Sequence, residues 1–275
     1  MITTNKDEPP WGHYRPLGWR ATLIKILHLI PSTPPLRRIA LWLRKPIKNK
    51  LGQWIDITIW NLNLRLRSKG NFSEQRMIFM PQFLDTIERI AISEELKNGG
   101  VFFDIGANAG VYTLWAGSLR NPAITVHAFE PDPSLCSTLQ SNLDRNALEG
   151  IHLHQSALGR IDSEATLILS EKNKGENSID ISPDTTGMKI RIHSLPQWLT
   201  SNQISRIDVM KIDVEGHELD VLEPLFTICP AASWPRLLIC ELIHDDKSNI
   251  KQLLQKCGYI LEKQGRLNGI YRLPA

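Results

Sequence analysis

From Val101 onward, the sequence alternates short apolar runs with stretches of helical periodicity. The apolar runs that predict strands of a central sheet cover residues 101–105, 124–129, 151–157, 209–214 and 237–242. Helical patterns follow four of these runs and end near Arg120, Asn146, Leu225 and Cys257. Alternating strands and helices form a parallel sheet with helices on both faces, and ligands bind beyond the carboxyl ends of its strands. We therefore predict an α/β fold whose chemistry lies at those strand ends.

The remaining β patterns are weaker or lie apart from this alternation. A weaker β region covers residues 164–170 and 188–194, and a terminal hairpin is predicted from residues 259–262 and 269–273. Near the start, residues 53–67 change to a period of two, which predicts a β-hairpin or a bent strand.

The first hundred residues are predicted to form an extension to the main domain. Residues 17–30 and 36–45 are predicted as two short basic helices separated by prolines, and residues 75–98 as helical with a break at Pro81. We divide the chain into a basic, partly helical N-terminal extension (1–54), a hairpin and helix (55–98) and a main domain (99–275).

Charge separates the N-terminal quarter from the remainder. Residues 1–75 hold 13 Lys and Arg against 4 Asp and Glu, whereas residues 76–275 hold 19 against 25. A basic segment attracts phosphates, nucleic acids or an anionic lipid surface. Two interpretations of residues 1–50 stay open: an amphipathic segment that lies on a membrane, or, as we favour, helices packed on the main domain with solvated basic faces.

We expect a cytoplasmic protein, at most peripheral to a membrane. The start, MITTNKDEPP, lacks the basic stretch and apolar core of a secretory signal. Leu17–Ile30 is too short to span a bilayer, which takes about 20 apolar residues. The four cysteines show no CxxC spacing, which is typical of reduced thiols in a cytosolic setting.

The first strand of the main domain ends in a glycine-bearing turn, DIGANAGVYT, that leads directly into a helix. Gly106 lets a ligand approach the backbone, and Gly110 lets the helix pack near the sheet. The spacing G-x-x-x-G differs from the dinucleotide fingerprint, and no Gly-Lys-Ser/Thr follows as in a P-loop. Asp104 would repel a pyrophosphate but hold a cationic amine. The candidate cofactor residues of this loop are Asp104, Gly106, Asn108, Gly110, Tyr112 and Thr113.

A carboxylate also ends the second strand. Glu130 follows Gly106 by 24 residues, close to the spacing of about 20 at which an acid binds a ribose. One carboxylate accepts both hydroxyls of a cis-diol, and Ser156 and Ala157, at the end of the third run, would lie near a base. An amine, a ribose and a base without a phosphate describe S-adenosylmethionine, which we predict as the cofactor.

Four blocks of the sequence resemble the FkbM family of S-adenosylmethionine-dependent methyltransferases. The blocks are VFFDIGANAGVYT, HAFEPDP, HQSALG and KIDVEGHELDVL. The resemblance covers roughly residues 55–270, and the last block points most specifically to this family. It implies the class I methyltransferase fold, a Rossmann-like, seven-stranded, mostly parallel sheet whose last strand is antiparallel. It also implies methylation of a hydroxyl oxygen on a sugar, glycolipid or natural-product acceptor.

Ionisable residues follow the fourth and fifth strands. With a period of two, Lys211, Asp213 and Glu215 share one face, and the fifth strand ends in Glu241-Leu242-Ile243-His244. If the two strands are neighbours, these groups converge beside the methyl donor. The donor's sulfonium drives methyl transfer, so the enzyme mainly aligns the acceptor oxygen and removes its proton.

Roles for these groups follow from their chemistry. His244 and His217 are the candidate bases because imidazole titrates near neutrality, with His244 slightly favoured. Asp213 is expected to orient the acceptor or, as at the corresponding strand end of this fold, the donor's amine. Lys211 is interpreted as a counter-ion rather than a base, since nearby carboxylates stabilise its charged form. Glu215 and Glu241 are assigned to substrate binding.

Two alternatives remain beside this interpretation. The same carboxylates and imidazoles suit an octahedral Mg²⁺ or Mn²⁺ site, but ordinary strand-end residues explain the set, and we expect no metal. The alternative function is a non-catalytic membrane- or glycan-binding protein that keeps the fold, with residues 1–50 facing an anionic membrane. Nucleic-acid methylation ranks low because no RNA-binding signature is present.

Overall fold

The computed structural model describes residues 8–48, 50–170, 178–180, 187–242, 247–265 and 267–274. Its helices are α1 (Trp19–Leu29), α2 (Pro34–Leu43), α3 (Lys45–Lys48), α4 (Phe72–Phe79), α5 (Thr86–Glu95), α6 (Val111–Ser118), α7 (Pro133–Arg145), α8 (Leu195–Ser201), α9 (Glu218–Ile228) and α10 (Lys247–Lys256). Its strands are β1 (Trp54–Ile59), β2 (Leu62–Arg67), β3 (Gly100–Ile105), β4 (Ile124–Phe129), β5 (Ile151–His154), β6 (Ala157–Gly159), β7 (Ser163–Ile168), β8 (Ser178–Asp180), β9 (Met188–Ser194), β10 (Val209–Ile212), β11 (Leu237–Glu241), β12 (Ile260–Gln264) and β13 (Asn268–Arg272).

A sheet of seven strands forms the centre of the fold, in the order β12-β13-β11-β10-β3-β4-β5. The strands from β11 to β5 are parallel, whereas β13 runs antiparallel to both β11 and β12. Strands β4 and β5 lie on one side of β3, and β10 lies on the other. The predicted α/β fold is thus confirmed, as is the seven-stranded sheet with an antiparallel last strand that the family resemblance implied.

Apolar side chains on both faces of the middle strands explain why this sheet is parallel and covered. Phe102 and Phe103 are neighbours on β3, and they enter two different hydrophobic clusters. On the side of Phe102 pack Ile92 of α5 and Leu114 of α6. On the side of Phe103 pack residues of α8, α9 and α10, among them Leu254. A strand buried on both faces is predominantly apolar, which is the pattern seen in the sequence.

The N-terminal helices share the cluster of Phe102. Leu27 of α1 and Ile47 of α3 are fully buried in it. The Nε2 atom of His28 lies 2.8 Å from the backbone oxygen of Ile78, and the Gln82 side-chain amide donates to the backbone oxygen of Leu27 at 2.7 Å. These contacts fasten α1 to α4 and to the turn that follows it.

Several predicted elements differ from those observed. The run at 151–157 is two strands instead of one: β5 pairs with β4 at the edge of the central sheet, whereas β6 pairs with β9 in a separate four-stranded sheet. Helices α3 and α8 were not predicted because each is at most seven residues long. The β1–β2 and β12–β13 hairpins are confirmed. Among the described residues, no helix is both long and apolar enough to cross a membrane.

Candidate active site

A cavity of about 790 Å³ opens at the carboxyl ends of the parallel strands. It lies over the point where the chain order reverses between β3 and β10, which is where ligands bind in open α/β sheets. Residues from the ends of five strands line it: Gly106, Ala107 and Asn108 after β3, Glu130 and Pro131 after β4, Ser156 to Leu158 around the start of β6, Lys211, Asp213, Val214 and Glu215 around the end of β10, and Glu241 of β11.

The turn after β3 brings its backbone to the cavity. Gly106 has a φ of +75°, and a Cβ atom at this position would overlap the backbone oxygen of Asp213. Gly110 also has a positive φ, and a Cβ there would overlap Leu139 of α7. Gly106 therefore permits the close approach of two strand ends, whereas Gly110 permits helix packing and does not line the cavity.

Asp104 supports this turn from below. Its side chain is fully buried and does not line the cavity. The Oδ2 atom of Asp104 accepts hydrogen bonds from the backbone nitrogen and the Oγ1 of Thr113, at 3.0 and 2.6 Å. Burial raises the pKa of Asp104, against the opposing charge of Lys211. The structure thus places Asp104 and Thr113 beneath the turn, where they fix the start of α6.

Glu130 faces the cavity at the end of β4. Its Oε2 accepts a hydrogen bond from the backbone nitrogen of Asn108 at 2.7 Å, and its Oε1 accepts one from that of Asp132 at 2.8 Å. Burial raises the pKa of Glu130 to about 7, although these two hydrogen bonds lower it. The carboxylate is thereby held in a fixed orientation, and each oxygen keeps a lone pair for a further donor.

Lys211 is a buried cation among the carboxylates. It pairs in register with Asp104 on β3, and its Nζ lies 3.0 Å from Oδ2 of Asp213. The same Nζ lies 5.3 Å from the centre of the Tyr112 ring. Burial disfavours the charge on Lys211, but the carboxylates of Asp213 and Asp104 outweigh it and raise its pKa. The neighbouring carboxylates therefore favour the charged form of Lys211, and its role as a counter-ion stays a prediction.

Asp213, Glu215 and Glu241 form a carboxylate cluster in which one oxygen of each lies within 4.8 Å of the others. The pKa of Glu241 is raised well above its usual range by burial and by the charge of Asp213. Three carboxylates are a donor set that Mg²⁺ or Mn²⁺ accepts. They are also a set that attracts an organic cation, and Lys211 already compensates part of their charge.

His217 lines the cavity at the start of α9, beside a carboxylate that the sequence analysis did not single out. Its Nδ1 lies 3.1 Å from Oδ2 of Asp220, one helical turn further on. Oδ1 of Asp220 in turn accepts a hydrogen bond from Nε of Arg160 at 3.3 Å. Asp220 and Arg160 also line the cavity. The i, i+3 spacing of His217 and Asp220 was visible in the sequence, whereas the partnership with Arg160 was not. The other candidate base, His244, lies outside the described residues.

A second group absent from the predictions closes the cavity on the N-terminal side. Ser73 and Arg76 of α4 and Asp85, just before α5, line it. The Arg76 guanidinium lies 2.8 Å from Oδ1 of Asp85, and the Tyr112 hydroxyl donates to its Oδ2 at 3.3 Å. The four-stranded sheet also lines the cavity, with the apolar side chains of Leu158, Leu167, Ile179 and Ile192. The cavity therefore has two kinds of lining. We call its charged part, formed by the carboxylate cluster, Glu130 and Lys211, the floor, and the remaining side contributed by the four-stranded sheet is apolar.

The part of the chain that contains most of this cavity matches the sequence model of one known protein family. Residues 104–261, more than half of the chain, match the model described as the methyltransferase FkbM domain. That range includes the turn after β3, Glu130, the carboxylate cluster and His217, but not the wall formed by α4 and α5.

Three curated relatives are similar to the chain over about half of its length. Methyltransferase 1 of Beauveria bassiana is 30% identical over 142 residues, which cover 44% of this chain and 57% of that protein. The 31-O-demethyl-FK506 methyltransferase FkbM of Streptomyces tacrolimicus is 30% identical over 185 residues, covering 55% and 68%. The hexuronic acid methyltransferase AglP of Haloferax volcanii is 31% identical over 133 residues, covering 47% and 52%.

Among solved structures, the chain is similar to methyltransferase FkbM from Methylobacillus flagellatus. The TM-score is 0.46 and the sequence identity 18%, over 64% of this chain and 44% of that one.

Proposed function

The chain belongs to the FkbM methyltransferase family, and from this premise we propose that it transfers the methyl group of S-adenosylmethionine to a hydroxyl oxygen. The proposed acceptor is a sugar, glycolipid or natural product. Two relatives support this choice by name, one acting on 31-O-demethyl-FK506 and the other on a hexuronic acid. The apolar side of the cavity suits an acceptor with an apolar portion beside its hydroxyl groups.

The observation that carries the proposal is the position of Glu130 across from the turn after β3. Its two oxygens are oriented by backbone N–H groups and face a cavity that also exposes the backbone of Gly106. We assign to Glu130 the two hydroxyls of the donor's ribose, and to Ser156 and Ala157 the neighbourhood of its base. Asn108 and Tyr112 line the same cavity and complete the proposed donor site, whereas Asp104, Gly110 and Thr113 support it.

The charge of the floor favours a cationic ligand over a phosphorylated one. The carboxylate cluster and Glu130 surround the proposed donor site, so a pyrophosphate would be repelled and a sulfonium or ammonium attracted. We assign the donor's amine to Asp213, whose other neighbour is the ammonium of Lys211. The donor supplies the activated methyl group and a neutral leaving sulfur, which leaves the protein to align the acceptor and take its proton.

Within the described residues, His217 is the base that the geometry favours. When Nδ1 donates its proton to Asp220, Nε2 is left as the acceptor, so Asp220 sets the tautomer that general-base catalysis requires. Nε2 of His217 would then take the proton of the acceptor hydroxyl, whose oxygen would receive the methyl group as the donor's carbon–sulfur bond breaks. Asp220 acts in this scheme as a positioning residue, and Arg160 holds it in place.

The donor assignment is tested by calorimetric titration with S-adenosylhomocysteine. Hydrogen bonds to a charged group are worth about 1.5–3 kcal/mol, so Glu130→Ala should weaken binding by about tenfold to a hundredfold. Glu149→Ala, at an exposed site outside the cavity, is the matched control and should bind as the wild type does. Unchanged affinity in Glu130→Ala would exclude the ribose assignment.

The base is tested by transfer of labelled methyl groups to a panel of hydroxylated acceptors. We expect His217→Asn to lower the turnover rate by about 10²–10⁴-fold with little change in donor affinity. Asp220→Asn should lower the rate less and shift its pH profile, because the imidazole remains but loses its orienting partner. A His217→Asn variant with full activity would exclude His217 as the base.

A further inference from the structure

The N-terminal helices expose an unusual set of large apolar side chains. We define the N-terminal surface by six of them: Leu17, Trp19, Ile26, Leu29, Ile39 and Trp42. Leu29 is 81% exposed and Trp42 is 67% exposed. They lie within 26 residues of chain, although isolated exposed apolar residues are ordinary in a folded protein. Their concentration on two adjacent helices indicates a contact surface.

Helical geometry places these side chains opposite the core. On α1, Trp19, Ile26 and Leu29 fall within one sector of the helix, whereas Ile24 and Leu27 are buried on the other side. On α2, Ile39 and Trp42 are one turn apart and both exposed. The packing of the two helices on the main domain therefore leaves an apolar stripe of each facing outward.

The charge around this surface has one sign. Residues 8–50 contain nine Lys and Arg and one acid, Glu8. Two of these cations lie next to an exposed indole, with Nζ of Lys50 5.5 Å and the guanidinium carbon of Arg20 6.0 Å from the ring of Trp19. Glu8 is itself paired with Arg65 and Arg145. The apolar stripes are thus bordered by basic groups.

We propose that the N-terminal surface docks the protein on an anionic lipid bilayer. Aromatic and aliphatic side chains bordered by Lys and Arg are the composition of helices that lie in the interface of a membrane. If a second copy of the chain docked through the same surface, the basic groups of the two copies would repel each other. A nucleic acid would match the charge but leave the aliphatic side chains Leu17, Ile26 and Leu29 without a partner. A bilayer satisfies both the charge and the apolar area.

The surface is joined to the wall of the cavity by direct contacts. The imidazole of His28 on α1 contacts the backbone of Ile78 on α4, and α4 also carries Ser73 and Arg76, which line the cavity. Docking would therefore bring the bilayer to α1, which packs against a helix that lines the cavity. The inference does not require methyl transfer, since it concerns binding alone.

The test is cosedimentation of the full chain with vesicles of phosphatidylcholine, with or without phosphatidylglycerol. We expect binding to the anionic vesicles that weakens as salt rises. Two double variants address the two components of the surface. Arg38→Glu/Lys45→Glu reverses two exposed charges, and Ile39→Ser/Trp42→Ser removes two exposed apolar side chains. Each should weaken binding by about tenfold or more.

Control variants reverse charges or remove an apolar side chain elsewhere on the surface. Lys251→Glu/Lys256→Glu reverses two exposed charges on α10, and Ile228→Ser removes an apolar side chain that is 69% exposed at the end of α9. These should bind vesicles as the wild type does, and all variants should keep the circular dichroism of the wild type. Equal binding by all variants, no binding to anionic vesicles, or preferential binding to an RNA or to a second copy would each overturn the proposal.

Discussion

Replacing Glu130 by glutamine should change how the stability of the protein depends on pH. The Glu130 side chain is buried, and its pKa is raised from an ordinary value of 4.5 to about 7, mainly by burial. The native state therefore holds a proton on Glu130 at pH values where the unfolded chain has released it. Glutamine has no such proton, so the variant lacks this contribution at every pH.

The sign and size of this pH dependence follow from the linkage between proton binding and folding. Because the pKa is raised on folding, the stabilising contribution is fully present below pH 4.5 and is lost as the pH rises to about 7. Each tenfold change in proton affinity corresponds to about 1.4 kcal/mol, so the whole loss is about 3 kcal/mol. Most of it, about 2–3 kcal/mol, falls between pH 5 and pH 8.

The assay is urea denaturation of the wild type and of Glu130→Gln at several pH values between 5 and 8. Other titrating groups contribute equally to both proteins, so the difference in unfolding free energy isolates Glu130. Two backbone N–H groups donate to Glu130, and a glutamine oxygen can accept from one of them. This imposes a cost that does not depend on pH. The slope against pH is therefore the diagnostic quantity.

We expect the wild type to lose about 2–3 kcal/mol relative to Glu130→Gln as the pH rises from 5 to 8. Glu149→Gln, at an exposed site, should follow the wild type in parallel. Parallel curves for the wild type and Glu130→Gln would refute the reasoning, because they would mean that folding leaves the proton affinity of Glu130 unchanged.

Three further outcomes are expected. Gly110→Ala should lower the unfolding free energy by about 1–3 kcal/mol more than Gly70→Ala in the same urea titration. Both glycines have a positive φ, but an added Cβ would overlap Leu139 at Gly110, whereas it would meet nothing within 4 Å at Gly70. His127 and His154, whose pKa values burial lowers from 6.5 to about 4, contribute stability that is present above pH 6.5 and lost as the pH falls towards 4. Since both rings are partly exposed, His127→Phe should reduce that acid sensitivity by about 1 kcal/mol or less. Treatment with EDTA should leave donor binding and methyl transfer unchanged, whereas activity restored specifically by added Mg²⁺ would assign a metal to the carboxylate cluster.

The sequence predicted the central sheet and the strand ends well because both depend on local pattern. Apolar runs of five or six residues mark strands buried on two faces, and the carboxyl ends of such strands meet at one edge whatever their order. Glu130 and Asp213 could therefore be placed at the cavity before the strand order was known. The split of 151–157 into β5 and β6 could not, since it depends on β9, more than thirty residues further along the chain.

The walls of the cavity depend on contacts between distant segments, and local pattern carries no trace of them. Arg76 and Asp85 face the cavity because α4 and α5 pack beside the turn after β3, where the Asn71 side-chain amide donates to Oδ1 of Asn108 at 2.6 Å. Arg160 reaches Asp220 across sixty residues of sequence. The burial of Asp104 was equally hidden. A carboxylate at a strand end has the same sequence signature whether it lines the cavity or supports the turn beneath it.

The raised pKa values of Glu130 and Glu241 follow mainly from burial, in a site where several carboxyl groups surround one buried ammonium. Lys211 is held charged by Asp213 and Asp104, so its charge is largely compensated and little is left for the remaining carboxyl groups. Burial then favours the protonated forms of Glu130 and Glu241. A cation that enters the cavity would lower both pKa values and displace protons, so its binding should strengthen as the pH rises through about 7. An anion would meet the opposite response, so the carboxyl groups around Lys211 favour a cationic ligand over an anionic one, as the proposed donor requires.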